Sequence, residues 1–171
     1  MNQNRVGAIE KAGVEALITP YHDYTKIMVE NMFRRAYERK EYVETSVNRI
    51  LLNVVKFMDD RYYKPFSKHL GPAPVIDPKA LEKHLKEFNI DLYHGGESYD
   101  NILKRFYIVE NYPDVSLFVQ TNPSFCCPAL VTEAMTRRIR EKTGVPIVTI
   151  TYDGTSDQMN DVIVPYIQKV H

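Results

Sequence analysis

Two cysteines stand side by side in this chain, in the stretch Asn122-Pro-Ser-Phe-Cys-Cys-Pro128. Proline is favoured in the first helical turn, so Pro128 predicts a helix start with Cys127 at or near its N-cap. A thiol there meets unpaired backbone N–H groups and the positive end of the helix dipole. Both favour the thiolate, the form that ligates metals or attacks electrophiles. Adjacent cysteines bridge each other only with strain, and they lack the spacing of a structural zinc site or a Cys-x-x-Cys redox pair. A cluster held at Cys126 and Cys127 therefore needs ligands from outside this chain. The plain alternative is that free cysteines pack as small apolar residues, which weighs evenly for Cys126 and less for Cys127.

Two further loops have site-like compositions: His94-Gly95-Gly96-Glu97-Ser98 and Asp153-Gly154-Thr155-Ser156. His94 offers a ligand or an acid–base group. Glu97 complements the start of the helix that follows it. Glycines and caps at such junctions also serve simply to make turns. A thiol-dependent enzyme, with Cys127 as nucleophile and His94 as base, is a further reading, although no local spacing pairs the two. Arg137, Arg138, Arg140 and Lys142 gather late in their helix, where they complement its negative end without calling for phosphate or CoA.

The elements that must position these loops alternate. Helices are expected over 6–11, 78–88, 98–111, 128–142 and 157–169, with Gly13 and Gly144 as C-terminal stops. Strands are expected over 15–20, 90–93, 115–120 and 145–152. Between them lie two strongly helical segments. One carries Ile27, Met28, Met32, Phe33 and Ala36; the other carries Val47, Ile50, Leu51, Val54, Val55 and Met58, and both stripes read as core packing. Residues 59–78, with four prolines and Gly71, read as a connector. Strand and helix in alternation imply an α/β fold: a Rossmann-like parallel sheet of about four strands flanked by helices, with a helical insertion over about 21–70. The whole, 1–171, reads as a single domain. In such sheets ligands sit beyond the carboxyl ends of the strands, which would gather all three loops on one edge.

Lys and Arg (22) balance Asp and Glu (22), so the net charge is zero. That argues against nucleic acid and an anionic membrane as the main partner, and it removes a barrier to homo-oligomers. Two adjacent cysteines suit a reducing compartment. No apolar stretch approaches the ~20 residues of a membrane span, and residues 1–11 lack a signal-peptide core. A soluble, cytoplasmic protein is expected.

The segment Asn122-Pro-Ser-Phe-Cys-Cys-Pro-Ala-Leu-Val-Thr-Glu-Ala-Met135, followed by Thr143-Gly-Val-Pro-Ile-Val-Thr-Ile-Thr-Tyr-Asp-Gly-Thr155, resembles the 2-hydroxyacyl-CoA dehydratase and benzoyl-CoA reductase family. The nearer branch is that of the large proteins identified as activators of 2-hydroxyglutaryl-CoA dehydratase. His94-Gly-Gly-Glu-Ser98 and the opening Asn2-Gln-Asn4 also fit. The likeness centres on 89–170 and fades in the helical middle. It implies Rossmann-like subdomains, an oxygen-sensitive iron–sulfur cluster of the 4Fe-4S type, and low-potential electron transfer to an acyl-CoA. It implies an ATP-dependent activator as partner, with other domains of the same protein or a homologous subunit. The family's cluster cysteine corresponds to Cys127, with Cys126 as its neighbour. The other ligand cysteines and the nucleotide-binding domain have no counterpart here. A strand and loop precede the Asn-x-Asn segment in the family, so this chain is expected to be the C-terminal part of a longer protein. A non-catalytic assembly subdomain without a cluster is the alternative expectation.

Overall fold

The computed structural model describes residues 5–11, 13–19, 22–70, 76–91, 94–153 and 162–167. In chain order they form α1 (Arg5–Lys11), α2 (His22–Glu38), α3 (Tyr42–Tyr63), α4 (Ser67–Leu70), α5 (Glu82–Glu87), α6 (Glu97–Asn111), β1 (Phe118–Pro123), α7 (Cys127–Ala134), α8 (Thr136–Thr143), β2 (Ile147–Tyr152) and α9 (Val164–Ile167). The architecture is mixed α/β, mostly helical, with a two-stranded parallel sheet among the described residues. The chain divides into two compact units: Met1–Thr19 with Ile108–His171, and Pro20–Tyr107. The expected helical insertion falls in the second. No described helix is long and apolar enough to cross a membrane.

The first unit is built on β1 and β2, paired in register from Phe118 opposite Ile147 to Pro123 opposite Tyr152. Parallel neighbours need a crossover, and α7 with α8 supplies it. Buried Val148, Ile150 and Ile163 form the core, with Ile9, Val14, Leu117 and Val119 packed against them. Gly13 and Gly144 end α1 and α8 in the left-handed region, at φ 82° and 73°. Each satisfies a helix-end carbonyl: Gly13 N–H bonds Glu10 O at 2.9 Å, and Gly144 N–H bonds Arg140 O at 2.8 Å.

The expected helix over 128–142 is two helices, with the break at Met135. Buried Thr132 lies just before it, and its Oγ1 donates to Pro128 O at 2.8 Å. Thr136 Oγ1 donates back to Thr132 O at 3.3 Å. Hydroxyls bonding backward in this way loosen and bend a helix. Of the four expected strands, those over 115–120 and 145–152 correspond to β1 and β2, which pair. Residues 14–19 are irregular, as are Ile90 and Asp91; Leu92 and Tyr93 lie outside the described residues. Leu17 and Ile18 are exposed, so among the described residues the apolar run that suggested a strand has no neighbour to bury it.

In the second unit α2 and α3 form an antiparallel hairpin. Lys40 turns the corner at φ 58°, and Glu41 N–H reaches back to Ala36 O at 3.0 Å. Helix α3 runs through the start of the expected connector to Tyr63, because no glycine or proline interrupts it before Pro65. Lys26 of α2 spans Asp23 at 3.3 Å and Asp59 of α3 at 2.9 Å. The core stripe expected on α2 is partly realised, with Ile27 and Ala36 buried and Met32 exposed. On α3 it is not: Val47, Ile50, Leu51, Val54 and Met58 face outward, and Leu52 is the buried residue.

Helix α6 is buried on nearly every side, including Tyr99, Ile102, Leu103 and Phe106. His84 stacks on Phe106 with ring centroids 4.5 Å apart. Burial this complete encloses charge as well. Asp100 Oδ2 pairs with Lys104 Nζ at 2.8 Å one turn on, both nearly inaccessible. Asp100 Oδ1 has no hydrogen-bond partner among the described residues. Burial raises the Asp100 pKa above its ordinary 3.8, with the Lys104 ammonium pulling the other way.

Breaking a buried pair costs more than replacing it, since the survivor keeps its desolvation penalty. Lys104→Met should destabilise by about 3–5 kcal/mol in urea titrations, and Asp100→Leu with Lys104→Met should recover most of the loss. The pH effect has a definite sign. From 3.8 up to its raised folded value, Asp100 holds its proton better in the folded state, so its contribution to stability falls as pH rises. Asp100→Asn should flatten stability against pH across that window.

Candidate functional site

The site is assembled at the carboxyl edge of β1 and β2. Since the strands are parallel, the loops leaving Pro123 and Tyr152 emerge together. Ser124 ties them: its N–H donates to Tyr152 O at 2.7 Å and its Oγ donates to the same oxygen at 2.9 Å. Beneath this, buried Asn122 donates through Nδ2 to Thr151 Oγ1 at 3.3 Å. Gln120 Nε2 bonds Asn122 Oδ1 at 3.3 Å and Ala129 O at 3.2 Å, linking β1 to α7. The cysteine loop is thus pinned at its base and at the helix that follows.

A tight turn connects strand to helix, closed by Cys126 N–H on Pro123 O at 3.3 Å. Its third residue is Phe125, at φ 64° and 95 % exposed. Turns that need positive φ there normally use glycine or asparagine, and a bulky residue is a genuine outlier. Cys126 follows as the N-cap, with extended backbone (φ −74°, ψ 104°), and its carbonyl accepts the first helical bond from Leu130 N–H at 3.0 Å. Cys127 and Pro128 are the first two residues of α7. The expected helix-start placement of the thiols is therefore observed. Cys127 is exposed, Cys126 is half-buried, and both are free.

The other expected residues divide. Asp153 directly follows β2 on the cysteine edge and is exposed; Gly154 and Thr155 lie outside the described residues. His94, Gly95, Gly96 and Glu97 belong to the second unit. Ile90 and Asp91, ahead of them, are irregular, so the strand-edge argument does not extend to that loop. Its geometry is that of a helix entry. Gly96, at φ 112°, gives its carbonyl to Tyr99 N–H at 3.1 Å, and its own N–H donates to Met28 Sδ at 3.2 Å. Gly95 sits where a Cβ would meet Met28 Cε at 3.2 Å. His94 O accepts from buried Asn31 Nδ2 at 3.1 Å, and its ring lies 6.2 Å from that of Tyr99, whose phenol burial pushes up to about 12. The exposed imidazole lines an open concavity of ≈ 350 Å³ with Arg35, Glu38, Arg39 and Asp91.

Sequence reasoning passed over Phe125 and Ser124 as site residues. The available signal was a large aromatic at a turn position between Pro123 and Pro128 that favours glycine. No group of three or more His, Cys, Asp or Glu able to hold a metal occurs among the described residues. The donors in hand fit one thiolate contribution, and they do not fit a self-contained four-ligand cluster. Compared with known proteins, the chain matches no family model, no curated protein and no solved structure.

Phe125→Asn should raise stability by about 1 kcal/mol, because asparagine tolerates the left-handed region and the exposed ring gives up no burial. Thermal unfolding checks this, and a loss would mean the ring is packed. Gly96→Ala should cost about 1–3 kcal/mol in the same assay, since its backbone conformation strains any L side chain.

Proposed function

We propose that the sheet-bearing unit is an α/β subdomain of the 2-hydroxyacyl-CoA dehydratase and benzoyl-CoA reductase type, cytoplasmic, serving a low-potential electron-transfer system. Cys127 would contribute one ligand to an iron–sulfur cluster completed by another segment or subunit, with Cys126 as its alternative. The supporting observation is an exposed thiol on the first residue of α7, at the carboxyl edge of a parallel strand pair. When bound, such a cluster would accept electrons from an ATP-dependent activator and pass them toward an acyl-CoA. What this chain's own residues do is simpler. Ser124, Asn122 and Gln120 hold the loop, and Pro128 leaves the first turn of α7 without a competing donor. Rossmann-like topology with about four strands belongs to the same proposal.

A second reading draws on Phe125. An exposed aromatic at the tip of a pinned loop is a natural anchor for a homologous subunit, which would make this a non-catalytic assembly subdomain.

Anaerobic reconstitution with iron and sulfide, with a small thiol present to complete the ligand set, separates the two. The first reading expects iron retained through desalting, lost in Cys127→Ala and reduced in Cys126→Ala. Equal iron in wild type and Cys127→Ala overturns it. The second expects Phe125→Ala to abolish capture of the homologous subunit while leaving iron content unchanged.

A further inference from the structure

Helix α3 is apolar on two opposite faces, and the second unit uses one of them. Leu52 is buried, Val55 and Asp59 are half-buried, and Asp59 holds Lys26 of α2 at 2.9 Å. On the far side Val43, Val47, Ile50, Val54 and Phe57 recur at steps of 4, 3, 4 and 3, and all are between 48% and 72% exposed. That spacing is the seam of a two-helix coiled coil. Leu51 and Met58 widen it along one flank, at 41% and 47% exposed, while Ser46, Asn53 and Asp60 line the other. The exposed parts of these seven apolar residues amount to roughly 700 Å², comparable with the share of about 800 Å² that each partner brings to a standard specific interface. It is also more than a solitary soluble domain usually leaves in one patch.

We propose that two copies of this chain pair antiparallel along α3, about a two-fold axis level with Leu52. The proposal is independent of the cysteine loop. Three features select a second copy in this orientation. The spacing of the seam reads the same in both directions when Arg61 is added as its last position. Ile50 then meets Val54 of the other copy, small Val47 meets large Phe57, and Val43 lies along the Arg61 stem. Charge is compatible: about that axis the first-turn Glu44 of each copy falls one residue from the level of the last-turn Arg61 of the other, within reach of its long side chain. A parallel pair would set Arg61 against Arg61 in the seam. The flanks agree as well. Antiparallel helices bring like flanks together, so the flank of Glu44, Leu51 and Met58 meets its own counterpart with the two Leu51 side chains near the axis; parallel helices would face it with Ser46, Asn53 and Asp60. Zero net charge adds no long-range repulsion between copies.

Sedimentation equilibrium of the full chain, with reductant present to exclude bridging through Cys127, tests this. Wild type is expected at twice 19.9 kDa. Ile50→Lys and Val54→Glu, both at exposed positions, should keep the helical circular dichroism. Each should weaken self-association by roughly 100-fold or more, since each puts two uncompensated charges into the seam. Mixing the two variants should restore a dimer, because the antiparallel register sets Lys at 50 against Glu at 54. A monomeric wild type overturns the proposal, including the case where footprinting finds the seam covered by this chain's other unit. A wild-type dimer indifferent to Ile50→Lys, or variants that fail to rescue each other, overturns it too.

Discussion

Two parallel strands cannot be joined by a tight turn, and the first unit follows from that constraint. The chain leaving β1 at Pro123 must travel back along the sheet before β2 can begin at Ile147. It does so as α7 and α8, so a helix must start close to the end of β1. The cysteines occupy that start. The exposure of Cys127, the pinning of the loop by Ser124 and the appearance of Asp153 on the same edge all depend on the parallel sense of one strand pair.

The second unit answers a different constraint. Its helices are mostly short or two-faced, and α6 satisfies them by being enclosed. Enclosure on nearly every side leaves little outward face for polar groups, and Asp100 and Lys104 neutralise each other within one helix. Such a pair contributes little net stability, but removing either half is costly. Helix α3 shows the reverse condition, with more apolar surface than its own unit covers.

Much of this was legible in the residues. Pro128 placed the helix start and Cys127 with it; Gly13 and Gly144 placed two helix ends; the β-branched run at 145–152 placed β2. What was not legible depended on partners distant in sequence. Periodicity shows that Val47, Ile50 and Val54 share a face of α3, but not whether α2 or water meets that face. The run 15–20 has strand composition, yet a strand exists only beside another strand. The break at Met135 comes from two threonine hydroxyls turning onto backbone carbonyls, a choice that composition leaves open. His94-Gly-Gly-Glu-Ser98 was correctly a helix entry, while its grouping with the cysteine loop assumed a strand before it. Phe125 was visible but silent, because its meaning lies in a backbone angle.

The corner at Lys40 has a further consequence. Three backbone bonds close it, from the N–H groups of Arg39, Lys40 and Glu41 to Arg35, Tyr37 and Ala36. With Lys26 of α2 paired to Asp59 of α3 farther along, the hairpin is a rod fastened at both ends. Most of the ordering entropy of its outer ridge is therefore lost during folding and not at association. A ligand surface carried on such a rod can be weak per residue and still select its counterpart by shape.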